Sequence, residues 1–124
     1  MTVLIVDDEI DQLQTLRRGL KAKGYAVMEA LSVDEALEAI SRHGDAIDVV
    51  LSDYKMPGKN GAVLFRELRG RKNNLPFVLM TGYADTVPGA LSVREGCDGF
   101  IQKPCTLEQI ISVIEAAVLG KHEN

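Results

Sequence analysis

The chain has 124 residues, with 14 Lys+Arg against 18 Asp+Glu and a formal net charge of −4. This length suits one domain with its own core, and 46% hydrophobic with 26% charged residues excludes a disordered chain. The acidic balance argues against a chain whose main task is wrapping nucleic acid, and Cys97 and Cys105 are too few for a disulfide scaffold or a thiolate metal site.

Val3–Val6 is a short continuous apolar run, as expected of a strand buried on both faces. Ile10, Leu13, Leu16 and Leu20 then recur at helical spacing up to Gly24, a suitable residue to follow a helix end. Tyr25–Met28 is the second candidate strand. Ser32-Val33-Asp34-Glu35 reads as a capping box, and Val33, Ala36, Leu37 and Ile40 share one helical face up to Gly44. Ile47–Leu51 is the third candidate strand. Pro57-Gly58 and Gly61 break the chain before a short helix over Ala62–Arg69, ending near Gly70.

Phe77–Met80 is the fourth strand. A helix over Val87–Glu95 follows, with Pro88 in its first turn and Gly96 closing it. Phe100-Ile101 marks the fifth strand. Thr106-Leu107-Glu108-Gln109 resembles a second capping box, and Leu107, Ile110, Ile111, Ile114 and Val118 form a stripe along a last helix ending near Gly120. Five strands alternating with five helices predict an α/β fold, a doubly wound five-stranded parallel sheet. No linker or repeat interrupts the pattern, so residues 1–124 are expected to form one domain. No apolar run approaches the roughly 20 residues of a membrane span, and no export signal precedes Val3, so the cytoplasm is the default compartment.

In an open parallel sheet, ligands bind beyond the carboxyl ends of the strands, where strand order reverses. Strand one ends in Asp7-Asp8-Glu9, strand three in Ser52-Asp53, strand four in Thr81-Gly82 and strand five in Gln102-Lys103-Pro104. In the order 2-1-3-4-5, Asp7, Asp8 and Asp53 cluster. Each pair of carboxylates about 5 Å apart repels by about 3 kcal/mol at an effective dielectric of about 20. Such a cluster persists if a hard cation occupies it or if its pKa values rise. Oxygen ligands without Cys or His favour Mg²⁺ or Mn²⁺ over zinc. With Lys103 and Thr81 nearby, the set outlines a phosphoryl-transfer site with a carboxylate nucleophile.

These motifs, each at a predicted strand end, resemble the receiver domain of two-component response regulators, the CheY-like superfamily, over essentially the whole chain. The carriers are Asp7-Asp8, Asp53 within Leu51-Ser52-Asp53-Tyr54-Lys55-Met56-Pro57-Gly58, Thr81 and Lys103-Pro104. The resemblance implies a flavodoxin-like fold and a phosphorylation-activated switch. Asp53 would accept a phosphoryl group from the phosphohistidine of a histidine kinase or histidine phosphotransfer protein. Asp8, Asp53 and the backbone carbonyl of Lys55 would bind Mg²⁺, with Asp7 acting through a metal-bound water. Thr81 and Lys103 would each hold a phosphoryl oxygen, the Lys103–Pro104 bond is commonly cis, and Phe100 takes the switch position where the family carries Tyr or Phe. The usual output is a shift of the face made by the fourth helix, fifth strand and fifth helix, acting on a partner or an attached domain, and dimerisation through that face is left open. Beyond phosphoacceptance and slow self-dephosphorylation, no enzyme activity is implied.

Lys55 and Tyr83 stand two residues after Asp53 and Thr81, positions that flank the phosphoryl group in the family, and are expected to modulate water access to it. Cys105 stands where the family usually has a larger apolar residue. His43 suits a helix C-terminus, where the dipole favours a cation. Arg66, Arg69, Arg71 and Lys72, interleaved with Glu67, read as a solvated helix face rather than a nucleic-acid patch. No helix-turn-helix follows the last helix, so direct DNA binding is not expected. A haloacid dehalogenase-like phosphohydrolase would carry Asp-x-Asp, whereas this chain has Asp53-Tyr54-Lys55 and no cap insertion. A degenerate receiver is disfavoured by the joint presence of Asp7, Asp8, Asp53, Thr81 and Lys103.

Overall fold

In a computed structural model of the chain, which describes residues 1–82 and 96–123, five strands form one parallel sheet. They are β1 (Thr2–Val6), β2 (Ala26–Ala30), β3 (Val49–Asp53), β4 (Phe77–Thr81) and β5 (Gly99–Gln102), in the order β2-β1-β3-β4-β5. Helices α1 (Ile10–Ala22), α2 (Val33–His43) and α3 (Gly61–Gly70) follow the first three strands, and α4 (Leu107–Glu123) follows the fifth. The helix expected over Val87–Glu95 lies outside the described residues, as do Pro88 and Tyr83. Among the described residues no helix is long and apolar enough to cross a membrane.

The sheet separates two cores. Leu4, Val6, Val50, Phe77 and Leu79 face α2 and α3, whose Ala36, Leu37, Leu64 and Leu68 complete that cluster. Val3, Ile5, Val49, Leu51, Val78 and Met80 alternate with them and meet Leu13 and Leu20 of α1 and Ile110 and Ile114 of α4. Successive side chains of a strand point to opposite faces, so a strand with helices on both sides must be apolar at every position. The continuous runs in β1 and β4 have this origin.

Local signals place the helix ends. Ser32 Oγ accepts from the Glu35 N–H at 3.1 Å, although the Glu35 carboxylate accepts from Leu31 rather than from Ser32 itself. Thr106 and Gln109 close a reciprocal box, with Gln109 N–H to Thr106 Oγ1 at 3.1 Å and Thr106 N–H to Gln109 Oε1 at 2.8 Å. After α1, Gly24 takes φ +95, its N–H bonds Lys21 O, and the Tyr25 N–H bonds Leu20 O. This is the left-handed helix stop that glycine makes without a Cβ clash.

Several boundaries differ from the sequence expectation. The third strand begins two residues later, because Gly44–Ala46 forms a 3-10 turn closed by the Ile47 N–H on Gly44 O. It extends through Ser52 and Asp53, both buried. The second strand runs to Ala30 through half-exposed Met28 and exposed Glu29, as an edge strand can. The third helix ends at Gly70 as expected, but Gly70 is not its left-handed stop. The left-handed position is Lys72, at φ 58, with Lys72 N–H on Arg69 O and Asn73 N–H on Leu68 O. Gly120 does not stop α4, which continues to Glu123.

Arg69 departs from the solvated-face reading. It pairs with Asp98 at 2.9 Å, donates to the carbonyls of Asn73 and Leu75, and lies 4.7 Å over the Phe65 ring. Asp98 also accepts the Phe77 N–H at 2.8 Å and meets Lys121 at 3.3 Å, so it ties α3, β4 and α4 at the amino edge of the sheet.

Candidate functional site

At the opposite edge the strand ends converge as the topology requires. Asp7 follows β1, and its N–H donates to Ala30 O at 3.1 Å, holding it beside β2. Its side chain is fully buried; Oδ1 accepts the Glu9 N–H at 2.9 Å, and Oδ2 has no hydrogen-bond partner. Asp53 ends β3 beside Met80 and is 6% exposed. Around it, the Tyr54 N–H bonds Met80 O, Ser52 Oγ donates to Asp53 O at 2.9 Å, and the Gly61 N–H bonds Tyr54 O at 2.8 Å. Asn60 caps α3 by accepting from the Val63 N–H. Gly61 is required at that close approach: a Cβ there would stand 2.5 Å from Asp53 O and 2.9 Å from Leu79.

Asp7, Asp8 and Asp53 each present a carboxylate oxygen within 4.8 Å of the others. Lys103 Nζ lies 3.2 Å from Asp53 Oδ1 and 3.1 Å from Gln12 Oε1. Thr81, buried at the end of β4, accepts the Lys103 N–H on its carbonyl at 2.7 Å. The Lys103–Pro104 peptide is cis. Asp8, Glu9, Asp53, Lys55, Met56, Pro57, Gly82 and Lys103 line a cleft of about 480 Å³ above these groups.

Burial pushes the Asp53 carboxyl up to about 6, with Lys103 opposing and the Asp7 charge reinforcing the rise. Burial also raises Asp7, opposed by the Glu9 N–H and by Lys103. At neutral pH Asp53 is still mostly ionised. Three crowded carboxylates and a buried oxygen without a donor are the groups a hard divalent cation satisfies. The donor set therefore fits Mg²⁺ or Mn²⁺.

The structure brings Asp7, Asp8, Asp53, Thr81 and Lys103 to one edge, with Asp53 within reach of both Asp8 and Lys103. Lys55 is exposed at the cleft. Phe100 is half-buried in β5, pairs with Leu79 in the ladder and packs on the α2–α3 side of the sheet. Tyr83 lies outside the described residues. Sequence reasoning missed Gln12; the signal available is its place four residues after Asp8, in the first turn of a helix that starts beside the cluster. Cys97 and Cys105 form no disulfide; burial raises both thiols, Cys97 Sγ donates to Gly99 O at 3.0 Å, and Cys105 packs against the α1–α4 core.

Comparison with known proteins agrees with this geometry. Residues 3–115 match the response regulator receiver domain family. The chain is 36% identical to the sensor kinase CckA of Brucella abortus over 92% of this chain and 12% of that protein. It is 31% identical to the C4-dicarboxylate transport transcriptional regulatory protein DctD of Rhizobium meliloti, over 89% of this chain and 24% of that one. It thus spans well under two thirds of these curated relatives. A response regulator receiver domain protein from Clostridium thermocellum superposes with a TM-score of 0.88 at 30% identity, covering 98% of this chain and 96% of that one. The chain belongs to the response regulator receiver domain family of two-component systems.

Proposed function

We propose that residues 1–124 act as a receiver that takes a phosphoryl group onto Asp53 and switches a partner or an attached output domain. The observation that carries this reading is the Asp53 carboxylate in an open cleft, 3.2 Å from the Lys103 ammonium and crowded by Asp7 and Asp8. An ionised Asp53 oxygen attacks phosphorus, the bond from phosphorus to the donor nitrogen of a phosphohistidine breaks, and an aspartyl phosphate forms. The imidazole leaves with the electron pair. The donor is a histidine kinase or a histidine phosphotransfer protein.

Lys103 and Thr81 each take one phosphoryl oxygen, Lys103 as a point charge and Thr81 through its hydroxyl. Asp8, Asp53 and the carbonyl of Lys55 would hold a divalent cation, with Asp7 behind them. When bound, that cation supplies positive charge to the phosphoryl oxygens. The phosphoryl group adds about −1.5 to −2 charge and three acceptor oxygens. It draws Thr81 and Lys103 inward, and these two are already joined by the 2.7 Å main-chain bond. Space vacated by Thr81 is open to Phe100, which lacks a phenolic hydroxyl, so packing reports its position. The partner and the output sit on the face around β5 and the helices beside it. Lys55 and Tyr83 set how readily water reaches the phosphorus.

The test is treatment with a small phosphodonor and Mg²⁺, followed by intact mass and site mapping. One phosphate on Asp53, lost on exposure to hydroxylamine and absent from Asp53→Asn, supports the reading. A label on a Ser, Thr or His overturns it.

A further inference from the structure

Lys103 is held from two directions. One contact is Asp53 Oδ1 at 3.2 Å; the other is Gln12 Oε1 at 3.1 Å, from the first turn of α1. An ammonium has three N–H donors and no acceptor. With one on Gln12 and one on Asp53, a third remains for an incoming oxygen. The lysine stem is long and flexible, and its side chain is 28% exposed, so Asp53 alone leaves the head free to swing toward solvent. Leu13, the next residue of α1, is buried in the α1–α4 core and fixes the helix from which Gln12 reaches.

The residue type matters. A carboxylate at position 12 would neutralise the ammonium and add a further negative charge to an edge that already holds Asp7, Asp8, Glu9 and Asp53. An apolar side chain would give no acceptor. Glutamine supplies a neutral acceptor, which orients the charge without cancelling it. We infer that Gln12 is a positioning residue for phosphoryl transfer, holding the Lys103 ammonium where it meets the phosphoryl oxygens at Asp53. This inference rests on Asp53 being the phosphoacceptor.

The experiment compares wild type, Gln12→Leu and Gln12→Ala for labelling by acetyl phosphate in Mg²⁺, and follows the Lys103 Cε methylene by NMR relaxation. The expected result is a maximal labelling rate lowered about 3- to 10-fold in both variants, the size of one hydrogen bond at a partly exposed site. The half-saturating Mg²⁺ concentration and the urea midpoint should stay as in wild type, while the Lys103 methylene gains motion. A purely structural residue would shift the midpoint and leave the lysine as ordered as before. Variants that label at the wild-type rate, or in which the Lys103 methylene is no more mobile, overturn the inference. Absence of labelling in wild type itself would instead remove the underlying reading.

Discussion

Replacing Asp53 with Asn should stabilise the cation-free protein, and by an amount that depends on pH. The Asp53 carboxyl rises from 3.8 to about 6 because burial disfavours its charge more than Lys103 favours it. At about 1.4 kcal/mol per pH unit, the ionised group weakens the folded state by about 3 kcal/mol. The sign follows from proton counting. Above about pH 6 both states are ionised at Asp53 and the folded state carries the whole penalty. Between about 6 and 3.8 the folded state holds a proton that the unfolded state has lost, and the penalty fades as pH falls. Below 3.8 it is gone. The amide introduced by Asp53→Asn has no charge to desolvate, and Lys103 keeps Gln12 as a partner. The Lys103 attraction is already contained in that net value; setting about 1 kcal/mol against imperfect hydrogen bonding of the new amide, Asp53→Asn should gain about 2 kcal/mol at about pH 7.5 and close to none near pH 4. Urea unfolding of both proteins in chelator across that range measures it. A gain that does not shrink toward low pH, or a substituted protein that is the less stable one at about pH 7.5, would refute the reasoning.

Gly61→Ala places a methyl 2.5 Å from Asp53 O, so it should lower stability by about 1–3 kcal/mol and slow labelling of Asp53; normal values by urea titration and mass spectrometry would count against the close approach. Asp98→Ala leaves Arg69 and the Phe77 N–H without their shared acceptor and should cost about 2–4 kcal/mol. Arg71→Ala, which breaks only an exposed pair with Glu67, should change stability by less than about 1 kcal/mol, and equal effects of the two in parallel melts would contradict this ranking. Lys55→Ala and Tyr83→Ala should each shorten the lifetime of the aspartyl phosphate, followed by intact mass after donor removal; unchanged lifetimes in both would exclude them as shields.

Most of the fold was legible because each face of the sheet imposes its own pattern. The unbroken apolar runs Val3–Val6 and Phe77–Met80 belong to strands covered on both sides, and the 3.6-residue stripes match helices with one buried face. Boundaries were less legible where hydrogen bonds outvoted hydrophobicity. Ile47 is buried and apolar, yet its N–H closes a 3-10 turn, so it stays outside the strand. Lys72, not Gly70, takes the left-handed position after α3, because the turn is set by bonds from Lys72 and Asn73 back to Arg69 and Leu68. The convergence of Asp7, Asp53, Thr81 and Lys103 was legible for the opposite reason: they are polar residues at the carboxyl ends of apolar strands, which a parallel sheet brings to one edge. Gln12 and the Arg69–Asp98 clamp were not, since both depend on contacts across about 90 and 30 residues of chain that no local pattern encodes.

The central claim is that one pocket serves both the cation and the phosphoryl group, around Asp53. A crystal structure of the protein with Mg²⁺ and beryllofluoride, a mimic of the phosphoryl group, tests it most directly. The account predicts beryllium on an Asp53 oxygen, fluorides on the Thr81 hydroxyl and Lys103 Nζ, and Mg²⁺ held by Asp8, Asp53 and the Lys55 carbonyl. Beryllofluoride bound elsewhere, or a cation that leaves the three aspartates untouched, would contradict it.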